Sequence, residues 1–302
     1  MNNTAQMLLQ LRRPANLYIR LNTWLLPRLP ANLRNTGPMR WYGGFLHRLV
    51  CFHAQRRQFS GTFFLRNRPM LELMRRLADR KPKHAELRIA VLGCSVGAEL
   101  YSILFTIRSA RPDLVVKLCA VDNSASVLNV AKGAVYSDRT SQLVGSSIFE
   151  RMTDAEFSEM FEGDRSEARV RAPLREGISW HLGDAGDPEI VPALGPQDFV
   201  VASNFLCHMA PSAAEHCLRN IARLVQPGGH LLVSGVDLDV RANVSRGLGW
   251  QPVLDLIEEI HDGDLSVRRD WPYKWWGLEP LNAERKDWQT RYAAVFRLDK
   301  IN

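Results

Sequence analysis

The loop Gly93-Cys94-Ser95-Val96-Gly97 follows an apolar run and is itself followed by Ala98 and Glu99. Glycines at such positions let a backbone approach a ligand where a Cβ would collide. The start of a helix adds N–H groups that have no partner within it. A loop that wraps a pyrophosphate prefers the spacing G-x-G-x-x-G. Here the spacing is G-x-x-x-G, and the carboxylate of Glu99 would repel a pyrophosphate while suiting a cationic or ammonium-bearing ligand. Taken alone, the loop is equally compatible with ordinary strand-to-helix packing. Asp122 lies 29 residues beyond Gly93, at the end of a second apolar run. A carboxylate there can accept both hydrogen bonds of a ribose diol. Asp122, Asn123 and Ser124 also suit a helix N-cap, and the glycine loop behind them favours the ligand role. Gly183-Asp184-Ala185 places an acid where it could accept from an adenine amine, or simply face solvent. Ser203-Asn204-Phe205-Leu206-Cys207-His208-Met209 follows a further apolar run, DFVVAS, at the strand end where open α/β sheets bind ligands. His208 is either a satisfied core histidine or a residue that faces the reacting group.

The elements that must hold these clusters can be read from residue 87 onward. Short apolar runs alternate with helical stretches, which predicts a mostly parallel sheet covered by helices on both faces. Strands are expected at 87–92, 115–121, 198–203, 230–236 and 292–298, with helices at 98–107, 124–132, 212–225 and 253–260 and a turn at 226–229. Residues 137–182 interrupt the alternation as an inserted subdomain: an acidic helix at 154–161, and a ribbon pairing 168–171 with 178–182. An excursion of that length inside a compact domain is usually functional or a small subdomain. Residues 5–80 read as helices broken at Pro14, Pro27, Pro30, Pro38, Pro69 and Gly43-Gly44. The expected division is a basic helical region at 1–80 and an α/β domain at 81–302.

Charge is distributed unevenly. Residues 1–80 hold fourteen Arg, no Lys, and only Glu72 and Asp79 as acids, a net of +12, whereas the whole chain is +7. That surplus either covers the acidic body or meets an acidic partner or an anionic surface, with nucleic acid disfavoured. Cys51, Cys94, Cys119, Cys207 and Cys217 are odd in number and never in C-x-x-C spacing, which argues against a disulfide framework and a zinc site. No apolar run approaches the roughly 18–20 residues that span a bilayer, and the N-terminus has no signal-peptide pattern. A soluble, reduced, cytoplasmic protein is expected.

At these motifs the chain resembles the chemotaxis-receptor methyltransferase (CheR-type) family. Thr62-Phe63-Phe64-Leu65-Arg66 is similar to that family's T-x-F-F-R segment. The run from Gly93 to Ile103 is similar to its G-C-S-T-G-E-E-P-Y-S-I loop. Val121-Asp122, Val127-Leu128, Ala131, Gly133 and Tyr136 follow its second strand and helix. Ser203-Asn204-Phe205 aligns with its R-N-V, and Pro227-Gly228-Gly229 with its late turn. The resemblance covers roughly residues 58–240. It implies a Rossmann-like class I methyltransferase sheet with S-adenosyl-L-methionine as cofactor. The donor contacts it implies are Arg66, Gly93, Glu99, Asp122, Asp184 and Asn204, and the neighbouring residues Thr62, Cys94, Ser95, Gly97, Asn123, Ala185 and Phe205 are expected beside them. Departures are equally plain. Ala98 replaces the first of the paired glutamates, Leu100 the proline, Ser203 the arginine, and His208 the tyrosine near the methyl. Residues 1–55 and the tail from Trp250 do not follow the family.

Methyl transfer from a sulfonium is an in-line displacement that rests on positioning and desolvation of the nucleophile. A carboxylate acceptor needs only an orienting cation, for which Arg66 is the candidate. A hydroxyl acceptor gains from a general base, for which His208 is the candidate. The expected function is O-methylation of a carboxylate or hydroxyl on a protein, glycan or biosynthetic small molecule. The alternative is a non-catalytic donor-binding sensor or scaffold. A nicotinamide-dependent oxidoreductase is disfavoured by the missing G-x-G-x-x-G. The aromatic cluster Trp271-Pro272-Tyr273-Lys274-Trp275-Trp276 could stack on a flat acceptor or pack as a lid.

Overall fold

A computed structural model describes residues 10–11, 13–34, 36–55, 61–139, 146–271 and 277–299. The cluster at 271–276 falls outside the described residues, apart from its first member, Trp271. Strands β1 (Gln10–Leu11) and β2 (Ala54–Gln55) pair antiparallel near the N-terminal end. The body is built on β3 (Glu86–Leu92) and β4 (Val115–Asp122). A separate small sheet holds β5 (Val135–Tyr136), β6 (Phe161–Asp164) and β7 (Glu167–Val170). The main sheet continues with β8 (Ile178–Leu182), β9 (Gln197–Ser203), β10 (Val225–Ser234), β11 (Gln251–Pro252) and β12 (Val295–Leu298). Its order is β11-β12-β10-β9-β3-β4-β8. The five strands from β10 to β8 run parallel, and β12 is antiparallel to both of its neighbours.

This topology follows from the sequence of β3. Leu87, Ile89, Ala90, Val91 and Leu92 are all fully buried, the near-continuous apolar run of a strand covered on both faces. Alternate side chains serve different layers. Leu87, Ile89 and Val91 pack with the helices Arg68–Ala78 and Ala98–Ala110, whereas Ala90 and Leu92 pack with Pro211–Ala222 and Leu238–Gly247. Strand order reverses between β3 and β9, and the ends of those two strands carry Gly93 and Asn204. A crevice outside the strand ends at such a switch point is where ligands of open α/β sheets bind.

Several elements differ from expectation. Ile178–Leu182 does not form a ribbon with residues 168–171. It pairs parallel with β4 as the edge of the main sheet, and Glu167–Val170 pairs instead with β6 and β5. The small sheet is therefore confined to 135–170, short of the expected 137–182 insertion. The segment Ile178–Leu182 is long enough for either partner, and sequence spacing alone does not choose between them. The turn expected at 226–229 is a bulged entry into β10, where register shifts between Val225 and His230. Of residues 292–298, only Val295–Leu298 is strand, because Trp288–Tyr292 is helical. Likewise the helix expected at 253–260 begins at Ile257.

The prolines of the N-terminal region mark breaks between helices, as expected, each sitting at or just before a helix start. Pro69 sits in the first turn of Arg68–Ala78, whose cap Asn67 accepts from the Met70 N–H at 3.2 Å. A proline there removes an N–H that had no partner within the helix anyway. Gly43-Gly44 breaks nothing: the Gly37–His53 helix runs through it, held by Leu46 and Val50 packing on Ile19 and Leu26. Tertiary burial here outweighs the roughly 1 kcal/mol cost of a helical glycine. Among the described residues, no helix is long and apolar enough to cross a membrane.

Phe64 joins the N-terminal segment to the small sheet. Fully buried, it stacks on Phe149 at 5.8 Å and meets Tyr136 and Phe161 edge-on at 5.1 and 5.0 Å. Phe64→Ala is expected to lower the unfolding free energy by about 3–5 kcal/mol. Chemical denaturation followed by circular dichroism checks this, and a loss below about 1 kcal/mol would mean that the cluster collapses around the gap.

Candidate functional site

The ends of β3, β4, β8 and β9 surround a cavity of about 330 Å³, closed on one side by the segment that carries Gly61, Thr62 and Arg66. β3 delivers Gly93, Cys94 and Ser95, with Glu99 one helical turn further on. β4 delivers Asp122 and Asn123, and β8 delivers Gly183, Asp184 and Ala185. β9 delivers Ser203, Asn204, Phe205, His208 and Met209. Twelve of the thirteen residues expected around the donor line this cavity, as does His208. Gly97 does not.

Gly97 has a packing role instead. It is the N-cap of the Ala98–Ala110 helix at φ 92°, and a Cβ there would lie 3.1 Å from both the Ala131 Cβ and the Tyr136 hydroxyl. Two buried tyrosines fix the loop beside it: Tyr136 donates to the Val96 carbonyl at 2.6 Å, and Tyr101 to that of Ala131 at 2.8 Å. Gly93 is the glycine that the cavity requires. At φ 65°, it would carry a Cβ 2.8 Å from the Phe205 ring. A side chain there would clash and also sit in a backbone region that L-residues avoid.

Asp122 is not the N-cap of the helix that follows, a place taken by Ser124, but its carboxylate bonds to backbone on both sides of the strand ends. One carboxylate oxygen accepts the Ser95 N–H at 2.8 Å and the other the Ser124 N–H at 3.0 Å. It therefore closes its own turn and ties down the glycine loop. An ionised carboxylate offers about four acceptor positions, so these two bonds leave capacity for a diol.

Arg66 and Asn204 form a unit across the cleft. Arg66 Nη2 donates to Asn204 Oδ1 at 3.1 Å, and the guanidinium lies 5.5 Å from the Phe63 ring centroid. Asn204 is itself held at φ 61°, with its N–H on the Ser234 carbonyl and its side-chain amide on the Ser234 hydroxyl. Burial pushes the Glu99 carboxyl above the usual carboxylate range, opposed in part by a hydrogen bond with Ser203 and by the charge of Arg66. Burial, and then the charge of Asp122, push the Cys94 thiol well above its ordinary value. A thiol held neutral in this way is a poor nucleophile.

Four lining residues were not singled out as donor contacts from sequence: Gly61, Gly183, Ser203 and Met209. A supporting residue was also missed. Asn220, buried in the Pro211–Ala222 helix, donates to the carbonyls of Ala185 at 3.0 Å and Asp187 at 2.9 Å. It pins the backbone of the loop that carries Asp184, whose own Oδ1 accepts the Gly186 N–H at 2.8 Å. Its one signal was an amide between apolar residues on a helix face, where a polar group needs a partner.

Comparison with known proteins matches residues 60–239 to the family model described as CheR methyltransferase, SAM binding domain. A protein of Pseudomonas aeruginosa described as probable biofilm formation methyltransferase WspC is 28% identical over 197 residues, 64% of this chain and 44% of that protein. Its namesake in Pseudomonas putida is 28% identical over 194 residues, 63% of this chain and 42% of that one. The chain thus spans under half the length of these relatives. Among solved structures, an O-methyltransferase family protein from Burkholderia thailandensis superposes with a TM-score of 0.39 at 14% identity, covering 78% of this chain and 65% of that one. The family model spans more than half of the chain, with Arg66, Glu99, Asp122, Asp184 and Asn204 all inside the match. The chain belongs to the CheR family of S-adenosylmethionine-dependent methyltransferases.

Proposed function

We propose that this protein transfers a methyl group to a carboxylate oxygen, most simply that of an acidic side chain on a protein. The observation that carries the reading is Arg66, a guanidinium lining the same cavity as the donor-side residues and oriented there by Asn204. A guanidinium has five N–H donors in a fixed fork that matches a carboxylate. The acceptor is already ionised at neutral pH, so orientation and exclusion of water suffice without a base. The relatives described as biofilm formation methyltransferases are compatible with a protein acceptor.

The cleft suits an adenosyl sulfonium donor by its own atoms. The Gly93 backbone lies where a Cβ would strike Phe205, Asp122 keeps acceptor capacity toward the cavity, and Glu99 lines it as a buried carboxyl. When bound, S-adenosylmethionine supplies an electrophilic methyl carbon. In this reading Glu99 meets the donor's ammonium, Asp122 its ribose and Asp184 its adenine, while Arg66 holds the acceptor. A second reading rests on His208, which lines the same cavity and could serve as base for a hydroxyl acceptor.

Incubating the full chain with isotopically labelled donor and cell extract distinguishes these readings, because methyl esters release methanol in mild alkali and methyl ethers do not. Base-labile label is expected. Arg66→Ala should then lower turnover about a hundredfold or more, the scale of a lost charge-assisted contact. His208→Ala should change it by less than about fivefold, where a general base would be worth roughly 10²–10⁴. Base-stable label together with a dominant His208 effect would replace the carboxylate reading by the hydroxyl one. Donor binding without any transfer by the full chain would point to a sensor or scaffold.

Glu99 gives a separate pH dependence. Its carboxyl titrates above the ordinary range in the free protein, and a bound ammonium favours the ionised form. Donor-product affinity is therefore expected to fall as pH is lowered through that raised pKa, and binding should release a proton on the acid side. Calorimetry in buffers of different ionisation enthalpy measures both effects. Glu99→Gln should flatten the profile and weaken binding by about tenfold or more. An unchanged profile in that variant would remove Glu99 from the donor site.

A further inference from the structure

The N-terminal helices carry an apolar surface that is largely open to solvent, with only the Arg28 guanidinium lying over the Trp24 ring, 4.1 Å from its centroid. On the Arg13–Leu25 helix, Ile19 faces inward, and with Leu26 just beyond the helix end it packs against Leu46 and Val50. Leu17, Leu21, Trp24 and Leu25 point the other way, at the spacing i, i+4, i+7, i+8 of a single helix face. All four are exposed, Leu17 at 76%. Trp41, 69% exposed, and Phe45 form the matching stripe on the Gly37–His53 helix. The stripes meet at a seam where the Tyr18 and Tyr42 hydroxyls are 2.6 Å apart and Tyr42 stacks on Phe45. A helix that is apolar on opposite faces needs both covered, and an exposed patch of this kind marks an interaction site.

The surrounding charges identify the occupant. Residues 1–71 contain eleven Arg and no Asp or Glu. Arg20 on the first helix, Arg28 in the 3-10 turn just after it, and Arg40 and Arg48 on the second are all exposed, and none makes an ion pair among the described residues. A second copy would bring two acid-free, positively charged faces together, which like-charge repulsion opposes. Aliphatic Leu17, Leu21 and Leu25 offer nothing to a phosphate backbone or a base edge. Leucines with tryptophan and tyrosine between arginines instead match the layered chemistry of a bilayer surface: acyl boundary, headgroup, anionic phosphate. At 13 and 17 residues these helices are too short to span a bilayer and suit lying in its plane.

We infer that residues 13–53 form a peripheral membrane-binding element that docks on anionic lipid. The pair is fastened to the catalytic body at the carboxyl-end rim of the sheet. His47 meets Trp271 edge-on at 5.2 Å, and Cys51 Sγ lies 3.6 Å from Asp237 Oδ1, two residues beyond the Gly235 that backs Asn204. Lipid docking would thus bring the mouth of the cleft to acceptors at a membrane surface. The inference does not depend on which acceptor is methylated.

The test is co-sedimentation of the full chain with phosphatidylcholine vesicles, with and without roughly one-third phosphatidylglycerol, read alongside tryptophan emission. Binding is expected to the anionic vesicles, with a blue shift of emission and a decline as salt rises. Leu21→Gln with Trp41→Gln should weaken it about tenfold or more, with circular dichroism and donor affinity unchanged. Arg20→Gln with Arg40→Gln should erase the preference for anionic vesicles. Three results would overturn the inference. One is a donor-binding chain that ignores anionic vesicles. Another is lipid binding that the apolar double variant leaves intact, which is mere charge adsorption. The third is a dimer in sedimentation velocity that the double variant abolishes, which assigns the stripe to a second copy.

Discussion

One carboxylate holds the working end of this sheet together. Asp122 accepts a backbone N–H from the loop after β3 and another from the turn after β4, so two adjacent strand ends share one acceptor. Charge-assisted bonds of this type are among the stronger ones available to a protein. Their effect is to set the glycine loop against Phe205 and to orient the start of the following helix before any ligand arrives. Preorganisation of this kind lowers the ordering cost of binding. The loop after β8 is fixed in a similar way from behind, by the Asn220 amide.

The electrostatics of the molecule run in two directions. The chain as a whole is cationic, with the excess concentrated before residue 81. Yet the cleft gathers three carboxylates, Glu99, Asp122 and Asp184, against the single guanidinium of Arg66. A basic exterior and an acidic recess can coexist because fields from exposed charges decay within about 10 Å at ordinary ionic strength, whereas groups inside a low-dielectric recess act on each other directly.

Much of this was legible in the sequence, for physical reasons. A strand buried on both faces is apolar along most of its length, which made residues 87–92 and 198–203 readable despite Arg88 and Asp198 and placed the cleft at their ends. Glycines that a side chain would block, as at Gly93, are visible because no other residue serves there. What escaped depended on distance along the chain. Sequence reading pairs Ile178–Leu182 with the wrong partner, residues 168–171, since edge pairing with β4 is decided by tertiary packing. The roles of Gly93 and Gly97 looked alike in one loop, yet one faces the cavity and the other faces Ala131 and Tyr136. Asn220 and Ser203 act through bonds to residues far away in sequence or on another element, which no local pattern encodes.

The contact between Asn204 and Gly235 restricts how this chain can change. Asn204 adopts a left-handed backbone, and a Cβ on Gly235, itself at φ 59°, would fall 2.6 Å from Asn204. Asparagine tolerates that conformation better than branched or bulky residues do. Neither position can drift alone: a side chain at 235 expels Asn204 from its place, and a β-branched residue at 204 refuses the backbone that Gly235 makes room for. The two sites are therefore expected to change together, and since Asn204 also holds Arg66, a chain that gave up the pair would need another support for its cation.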